Sequence, residues 1–468
     1  MLFHSFDFLV FLPIVLFLAL IVPKKFRNGL LFLASLVFYA SGGIVYVLFL
    51  LAETLLSYSF GLLCEKYPKK KKRALAAWAV ISLGTLCFFK VGQVRFSLFM
   101  PIGLSFYTFS TIGYVTDVYR GTCKAEKNFI DYALFVSFFP YVLSGPIERA
   151  GHILPQLKEH KKISFDNIRE GAYRMLWGYF LKLVIADRLA LFVNTVYGEY
   201  QAYNGTHLLI ATVLFAFQLY ADFAGYSEIA RGAGKLFGID ILQNFKAPYF
   251  SCTVSEFFRR WHISLNRWLI DYLYIPLGGS RKGTVRKYAN IMITFLLSGF
   301  WHGTGLSFIA WGGINGIWLV LSDMTKKVRD KCKAFFGVRT DCVSYRLWQM
   351  LVTFVAVDLA WLFFRADSLK VAFVILYKIA FSLSSVSLID RSLLTMGLDL
   401  YDWLLLVAAG CIWLLVDILR EKGGLYAGLL RQNLLFRYLL FLVGFFGILV
   451  FGVYGTDLST GSFLYFQF

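Results

Sequence analysis

Apolar runs long enough to cross a bilayer recur along this chain from Phe8 to Val453, and Lys and Arg dominate the charges between them. A transmembrane helix takes roughly 20 residues, so about 11 of them use about half of the 468 residues. The remainder suffices for loops and short re-entrant pieces, and no large soluble domain fits. Composition agrees: 58% of the residues are hydrophobic, 19% aromatic and only 16% charged, against ~25% charged in soluble proteins. These numbers exclude a soluble multidomain chain, a disordered one, collagen, a coiled coil and a disulfide-stapled secreted module. The expected fold is all-α: a polytopic membrane protein with about 11 transmembrane helices plus re-entrant or membrane-plane helices.

Charge then orients the spans. Lys and Arg number 47 and Asp and Glu 28, a net of +19. A nucleic-acid binder would gather its cations on a polar surface. Here they fall between apolar runs, at Lys24–Arg27, Lys69–Arg73, Arg281–Lys287 and Lys326–Lys333, which is the positive-inside pattern. Nucleic acid is therefore not an expected partner; membrane lipids are, and these loops can meet anionic headgroups or a phosphorylated donor. Seven cysteines (Cys64, Cys87, Cys123, Cys252, Cys332, Cys342 and Cys411) are scattered without a CxxC pair, so neither a disulfide framework nor a zinc site is indicated. The first apolar run, Phe8–Val22, has no cation before it and two lysines after it. It reads as an uncleaved helix with its N-terminus outside.

The stretch between the first two basic clusters is broken at Ser41-Gly42-Gly43, where a helix hairpin is expected to turn. Ala74–Phe89 and Leu98–Val115 follow as a pair of spans. Asp131–Leu143 is too short to cross and ends at Ser144-Gly145-Pro146; with the basic amphipathic stretch His152–Arg169 it reads as membrane-plane or re-entrant structure. Gly171–Val196 spans next, with Arg174, Lys182, Asp187 and Arg188 pairing or snorkelling, and His207–Phe223 returns. From Ala221 to Gly305 polar, Gly and Trp residues interrupt the apolar pattern, and such sequence at membrane depth is tolerated only when buried in protein or lining a wet cavity. Spans resume near Leu306–Leu321, Leu347–Phe364, Val371–Leu383, Trp403–Leu419 and Leu434–Val453. The chain thus reads as one membrane domain: N-terminal spans over 1–128, a re-entrant and catalytic region over 129–305, and C-terminal spans over 306–468.

Of six histidines, His4, His152, His160 and His207 sit at the terminus or in loops. His302 ends an apolar helix inside Ser298-Gly299-Phe300-Trp301-His302-Gly303-Thr304-Gly305, whose glycines leave room for a backbone or a slender ligand. An intramembrane ionisable residue is read as functional by default; the plain alternative is a helix-packing histidine bonded to a carbonyl. His262 lies in Phe257–Trp268. If that stretch is one helix, Arg259, His262 and Asn266 share a face. An interfacial helix with arginines and tryptophans at headgroup level is the alternative. Two histidines 40 positions apart make a poor zinc site, no metal is expected, and no GxSxG, Walker or GxGxxG motif is present. General-base catalysis remains: a neutral imidazole takes a hydroxyl proton while the alcohol attacks an activated acyl group.

The chain resembles the membrane-bound O-acyltransferase family, and within it the bacterial alginate O-acetyltransferase-like branch. The resemblance rests on Pro101-Ile102-Gly103-Leu104-Ser105-Phe106-Tyr107-Thr108-Phe109, Asp117-Val118-Tyr119-Arg120-Gly121, Ser144-Gly145-Pro146-Ile147 and Asp222-Phe223-Ala224-Gly225-Tyr226-Ser227. It continues in Arg260-Trp261-His262-Ile263-Ser264-Leu265, Asp271-Tyr272-Leu273-Tyr274-Ile275-Pro276-Leu277-Gly278-Gly279, Gly299-Phe300-Trp301-His302-Gly303 and the terminal Phe463-Leu464-Tyr465-Phe466-Gln467-Phe468. One departure is Glu256-Phe257-Phe258, where the branch usually shows an acid followed by Phe-Trp.

The resemblance implies a ring of helices around a central tunnel, with His302 as catalytic histidine and His262 as the second signature position. Asp222, Tyr226, Arg260, Trp261, Asn266, Asp271, Tyr274 and Trp301 are then expected along the substrate and donor tunnel. It implies no bound cofactor. The co-substrate is an acyl donor such as acetyl-CoA or an acyl carrier protein on the cytoplasmic side of the bacterial inner (plasma) membrane. Arg259, Arg260, Arg281 and Lys282 can meet donor phosphates, or snorkel. An extracytoplasmic acyl-accepting partner protein is also implied. The expected activity is transfer of an acyl group, acetyl in this branch, across the membrane for O-acylation of an exported polysaccharide. D-alanyl transfer to teichoic acid is the alternative within the family, and a polysaccharide or lipid transporter the alternative outside it, although the paired broken helices of many transporters are not seen in the sequence.

Overall fold

The computed structural model describes residues 1–96, 98–159 and 162–454; His160 and the motif at 463–468 lie outside the described residues. Among them the protein is all-α, without strands. The first helices are α1 (Phe6–Ile21), α2 (Lys24–Ala40), α3 (Ile44–Lys66), α4 (Lys71–Phe96), α5 (Leu104–Arg120), α6 (Phe129–Ser137), α7 (Ala150–Glu159) and α8 (Phe165–Tyr179). After a π-helical segment, Phe180–Ala186, come α9 (Asp187–Gly198), α10 (Gly205–Leu236), α11 (Val254–Arg260), α12 (Ile263–Leu269), α13 (Thr284–His302) and α14 (Leu306–Met324). The chain continues through α15 (Lys326–Phe335), α16 (Val343–Arg365), α17 (Leu369–Phe381), α18 (Leu400–Glu421), α19 (Leu425–Leu430) and α20 (Leu434–Phe451).

Seven described helices are long and apolar enough to cross a membrane: α3, the Lys71–Gln93 part of α4, α10, α14, α16, α18 and α20. Other apolar runs read as spans from sequence lie in shorter or more polar helices, including α1, α2, α5 and α17. The hairpin turns where expected, between α2 and α3 at Ser41–Gly43. Two boundaries differ. The span expected from Leu98 starts only at Leu104, because Pro101 and the left-handed Gly103 (φ 79°) precede it. The span expected to end at Phe223 runs on to Leu236, because Glu228 and Arg231 find ion-pair partners and need not leave the helix.

The described helices fall into two compact units, each assembled from separated stretches of chain. The first comprises Met1–Tyr179, Gly225–Gln243 and Tyr426–Gly444. Several of its buried polar groups pair across helices, as low-dielectric burial favours. Asn28 donates to Asp131 (2.7 Å) and to the Leu157 carbonyl (3.1 Å), tying α2 to α6 and α7. Glu53 accepts from Ser82 (2.6 Å) and Thr111 (3.1 Å), joining α3 to α4 and α5. Arg174 bonds Glu170 (2.7 Å) and Glu228 (3.3 Å), and Arg231 bonds Glu228 (2.7 Å).

The second unit comprises Phe180–Ala224, Asn244–Leu425 and the chain from Phe445. Its π-helical segment puts the Lys182 ammonium between two carboxylates, Asp187 at 2.8 Å and Asp222 at 2.6 Å. Of the four charges expected to pair or snorkel there, Lys182 and Asp187 pair with each other. Arg188 reaches Asp402 instead (2.7 Å). Helices α13 and α14 pack antiparallel, with Lys287 bonded to Asp323 (2.7 Å) at one end. At the other end Gly299 faces the Phe308 carbonyl and Gly312 the Phe295 carbonyl, so closely that a Cβ at either position would collide with backbone. The glycines beside His302 therefore admit a neighbouring helix.

Gly299→Ala forces that contact apart, and overpacking of this kind costs typically about 1–3 kcal/mol. The variant is expected to unfold at lower temperature in detergent; an unchanged melting curve would mean that the two helices are free to separate.

Candidate active site

His302 is the last residue of α13, and its 7% exposure places it among aromatic rings. Its ring centroid lies 4.8 Å from that of Trp301, 5.0 Å from Trp311 of α14 and 5.4 Å from Phe364 of α16, all edge-on. The sixth turn of one helix, the second of another and the last of a third thus converge on one imidazole. Behind this layer Trp361 stacks on Trp311 (5.6 Å) and touches Trp261 (4.9 Å).

His262 comes to the same place by a different route. The expected single helix over Phe257–Trp268 does not form: α11 stops at Arg260, His262 adopts left-handed backbone (φ 43°, ψ 53°), and α12 restarts at Ile263. A non-glycine residue seldom holds that conformation and does so only when its surroundings impose it. Asn266 supplies part of the restraint, donating its amide to the Trp261 carbonyl (2.6 Å) and the His262 carbonyl (3.2 Å). Asn244 supplies more, accepting from Ser264 Oγ (2.6 Å), while its carbonyl accepts the Ile263 N–H (2.9 Å). The break turns the His262 ring inward, 4.7 Å from Phe223, 6.1 Å from Trp301 and 6.5 Å from His302. Two imidazoles 40 positions apart in sequence therefore share one aromatic enclosure.

His262 lies outside the candidate spans, and burial pushes its imidazole well below the ordinary histidine range, so the ring stays neutral. The sign of the linkage follows. The unfolded chain takes up this proton near pH ~6.5 and the folded chain refuses it, so stability contributed by the neutral ring is lost as pH falls below that value. The melting temperature is expected to drop on acidification, and His262→Gln to flatten the drop. An identical pH slope in the variant would show that another group is responsible.

The other sequence-selected residues divide. Trp301 and Trp261 build the enclosure, and Asn266 holds its backbone. Asp222 is buried against Lys182. Arg260 is engaged by Glu256 (2.8 Å) and Glu421 (2.6 Å). Asp271 and Tyr274 lie half-buried in a second π-helical segment, Ile270–Tyr274. Tyr226 belongs to the first unit, where it stacks on Phe3 (4.6 Å). Arg259, Arg281 and Lys282 are exposed. At the Glu256-Phe257-Phe258 departure, Phe258 packs edge-on against Phe295 (4.8 Å). Trp311 and Phe364 were not singled out from sequence; both sit in ordinary apolar spans, and only the packing of α14 and α16 brings them to His302.

The model of the membrane-bound O-acyltransferase family matches residues 124–364, which include both histidines and the whole enclosure. The chain belongs to this family. It is accordingly a multi-pass membrane acyltransferase. This acyltransferase is 39% identical over 379 residues to the probable alginate O-acetylase AlgI of Pseudomonas fluorescens, covering 80% of this chain and 74% of that one. It is 32% identical over 430 residues to the peptidoglycan O-acetyltransferase of Helicobacter pylori, covering 82% and 80% of the two chains. A teichoic acid D-alanyltransferase of Streptococcus thermophilus is 27% identical over 287 residues, 57% of this acyltransferase and 69% of its own length.

Proposed function

We propose that this acyltransferase moves an acetyl group from a cytoplasmic thioester donor across the membrane to a hydroxyl acceptor, for O-acylation of an exported cell-surface polysaccharide, with His302 as general base. The observation that carries the reading is the pair of imidazoles 6.5 Å apart in one aromatic enclosure. A neutral His302 accepts the acceptor's hydroxyl proton as its oxygen forms a bond to the thioester carbonyl carbon. The tetrahedral intermediate then expels the thiolate, which recovers the proton from the imidazolium. His262, held neutral, carries one N–H that can stabilise the developing oxyanion. Trp301, Trp311 and Phe364 exclude water that would otherwise compete for the acyl group.

The α13–α14 pair supports the direction of transfer. Arg286 and Lys287 stand near its first turn, and His302 ends the helix 15 residues beyond Lys287, which is about 22 Å of helix rise. With the basic end cytoplasmic and the N-terminus outside, a donor retained there must extend its acyl group along the helix to reach His302. A phosphopantetheine arm has that reach, whether it belongs to CoA or to a carrier protein. An extracytoplasmic partner that receives the acyl group fits this geometry.

The names of the alginate and peptidoglycan relatives favour acetyl over D-alanyl, because their matches cover more of the chain at higher identity. Purified protein in proteoliposomes should deacylate acetyl-CoA when a polysaccharide acceptor is enclosed. Loss of the acyl group from a D-alanyl carrier protein, with acetyl-CoA untouched, would assign the other chemistry.

A further inference from the structure

We propose that α15 lies on the membrane surface and docks onto anionic lipid headgroups. The helix joins two candidate spans, α14 and α16, so it emerges where the chain leaves the bilayer. None of its residues is buried. Val328, Cys332 and Phe335 fall on one face at i, i+4 and i+7, and Phe336 follows just past the end. Val328, Phe335 and Phe336 are 61%, 83% and 74% exposed.

The opposite face is already used. Asp330, Lys333 and Ala334 border a cleft of about 580 Å³ shared with Tyr345 and Gln349 of α16, so the apolar face turns away from that helix. Five cations, Lys326, Lys327, Arg329, Lys331 and Lys333, stand against one carboxylate, Asp330. Among the described residues Lys333 pairs with Asp330 (3.3 Å), whereas Lys327, Arg329 and Lys331 have no carboxylate at ion-pair distance. On the helical projection Arg329 and Lys331 flank the apolar stripe; Arg329 donates to the Ser322 carbonyl of α14 (2.9 Å), while the Lys331 stem can lie along acyl chains with its charge at the headgroup phosphates. Exposed apolar side chains bordered by cations without carboxylate partners are the mark of a helix lying in the interface, and its charge selects an anionic surface.

Cys332 offers a native reporter on the apolar face. With Cys64, Cys87, Cys123, Cys252, Cys342 and Cys411 replaced by serine, the full chain is labelled at Cys332 with an environment-sensitive fluorophore. It is then placed in nanodiscs of phosphatidylcholine, with or without phosphatidylglycerol. Quenching by spin-labelled lipid is expected to be about threefold stronger with phosphatidylglycerol, and to fall by a similar factor when Lys327, Arg329 and Lys331 become glutamine. Quenching that is absent in both lipids, equal in both or unaffected by the glutamines would overturn the assignment. The same measurement on the Phe335→Ser, Phe336→Ser chain tests the apolar contribution; unaltered quenching there would also overturn it.

Discussion

Replacing His302 with alanine is expected to lower acyl transfer by about 10²- to 10⁴-fold, the range a positioned general base contributes. Its ring is the one member of the Trp301, Trp311 and Phe364 cluster that can accept a proton, and His262 stands 6.5 Å away, too far to substitute at the same atom. Alanine leaves a hole among rigid aromatic rings, so insertion and detergent stability must be measured alongside activity. His302→Gln keeps most of the volume and hydrogen-bonding capacity without the basicity, and is expected to be nearly as inactive while folding like the parent. Turnover by the glutamine variant at the parental rate would remove His302 from the proton-transfer step.

A second large effect is expected at Lys182, well away in sequence from either histidine. Lys182 is 4% exposed and Asp187 and Asp222 are 6% and 2% exposed. Removing one partner of a buried ion pair strands the other charge and costs about 3–5 kcal/mol. In Lys182→Met two carboxylates lose their shared ammonium, and a large loss of thermal stability should follow. Converting both acids to asparagine in the same chain removes the stranded charges and is expected to restore most of it. Because Phe223, next to Asp222, packs on His262 at 4.7 Å, the destabilised variant should lose activity as well. A Lys182→Met protein with parental stability would mean that the triad is not what holds this part of α10.

The contrast between these two sites shows how far the sequence could be read. His302 was identifiable because one imidazole among glycines at the end of an apolar run is expensive and chemically conspicuous. Lys182 and Asp187 are visible as charges in an apolar run, but nothing in the sequence ties the third member, Asp222, to them. Helix period alone does not reveal a π-helical segment, which shifts the phase of every later side chain, and the triad depends on that shift. His262 stands out in the sequence, but its backbone conformation does not: a regular helix over Phe257–Trp268 is the local preference, and the left-handed break exists because Asn244 and Asn266 bond the freed backbone groups. Glu228 and Arg231 looked like an interruption of the span, yet they pair and α10 continues past them.

Local information was enough to determine that the chain is helical and membrane-embedded, where its apolar runs fall and which residue types could do acid–base chemistry. Hydropathy and charge act on each segment separately, so a single strand of text contains them in full. The meeting of His302 with His262, the choice of Trp311 and Phe364 as its walls and the partners of Lys182 and Arg188 were settled only in the folded molecule. They arise from close contacts between helices far apart in the chain, and those contacts depend on steric fit, such as the room left by Gly299 and Gly312, which has no one-dimensional signature.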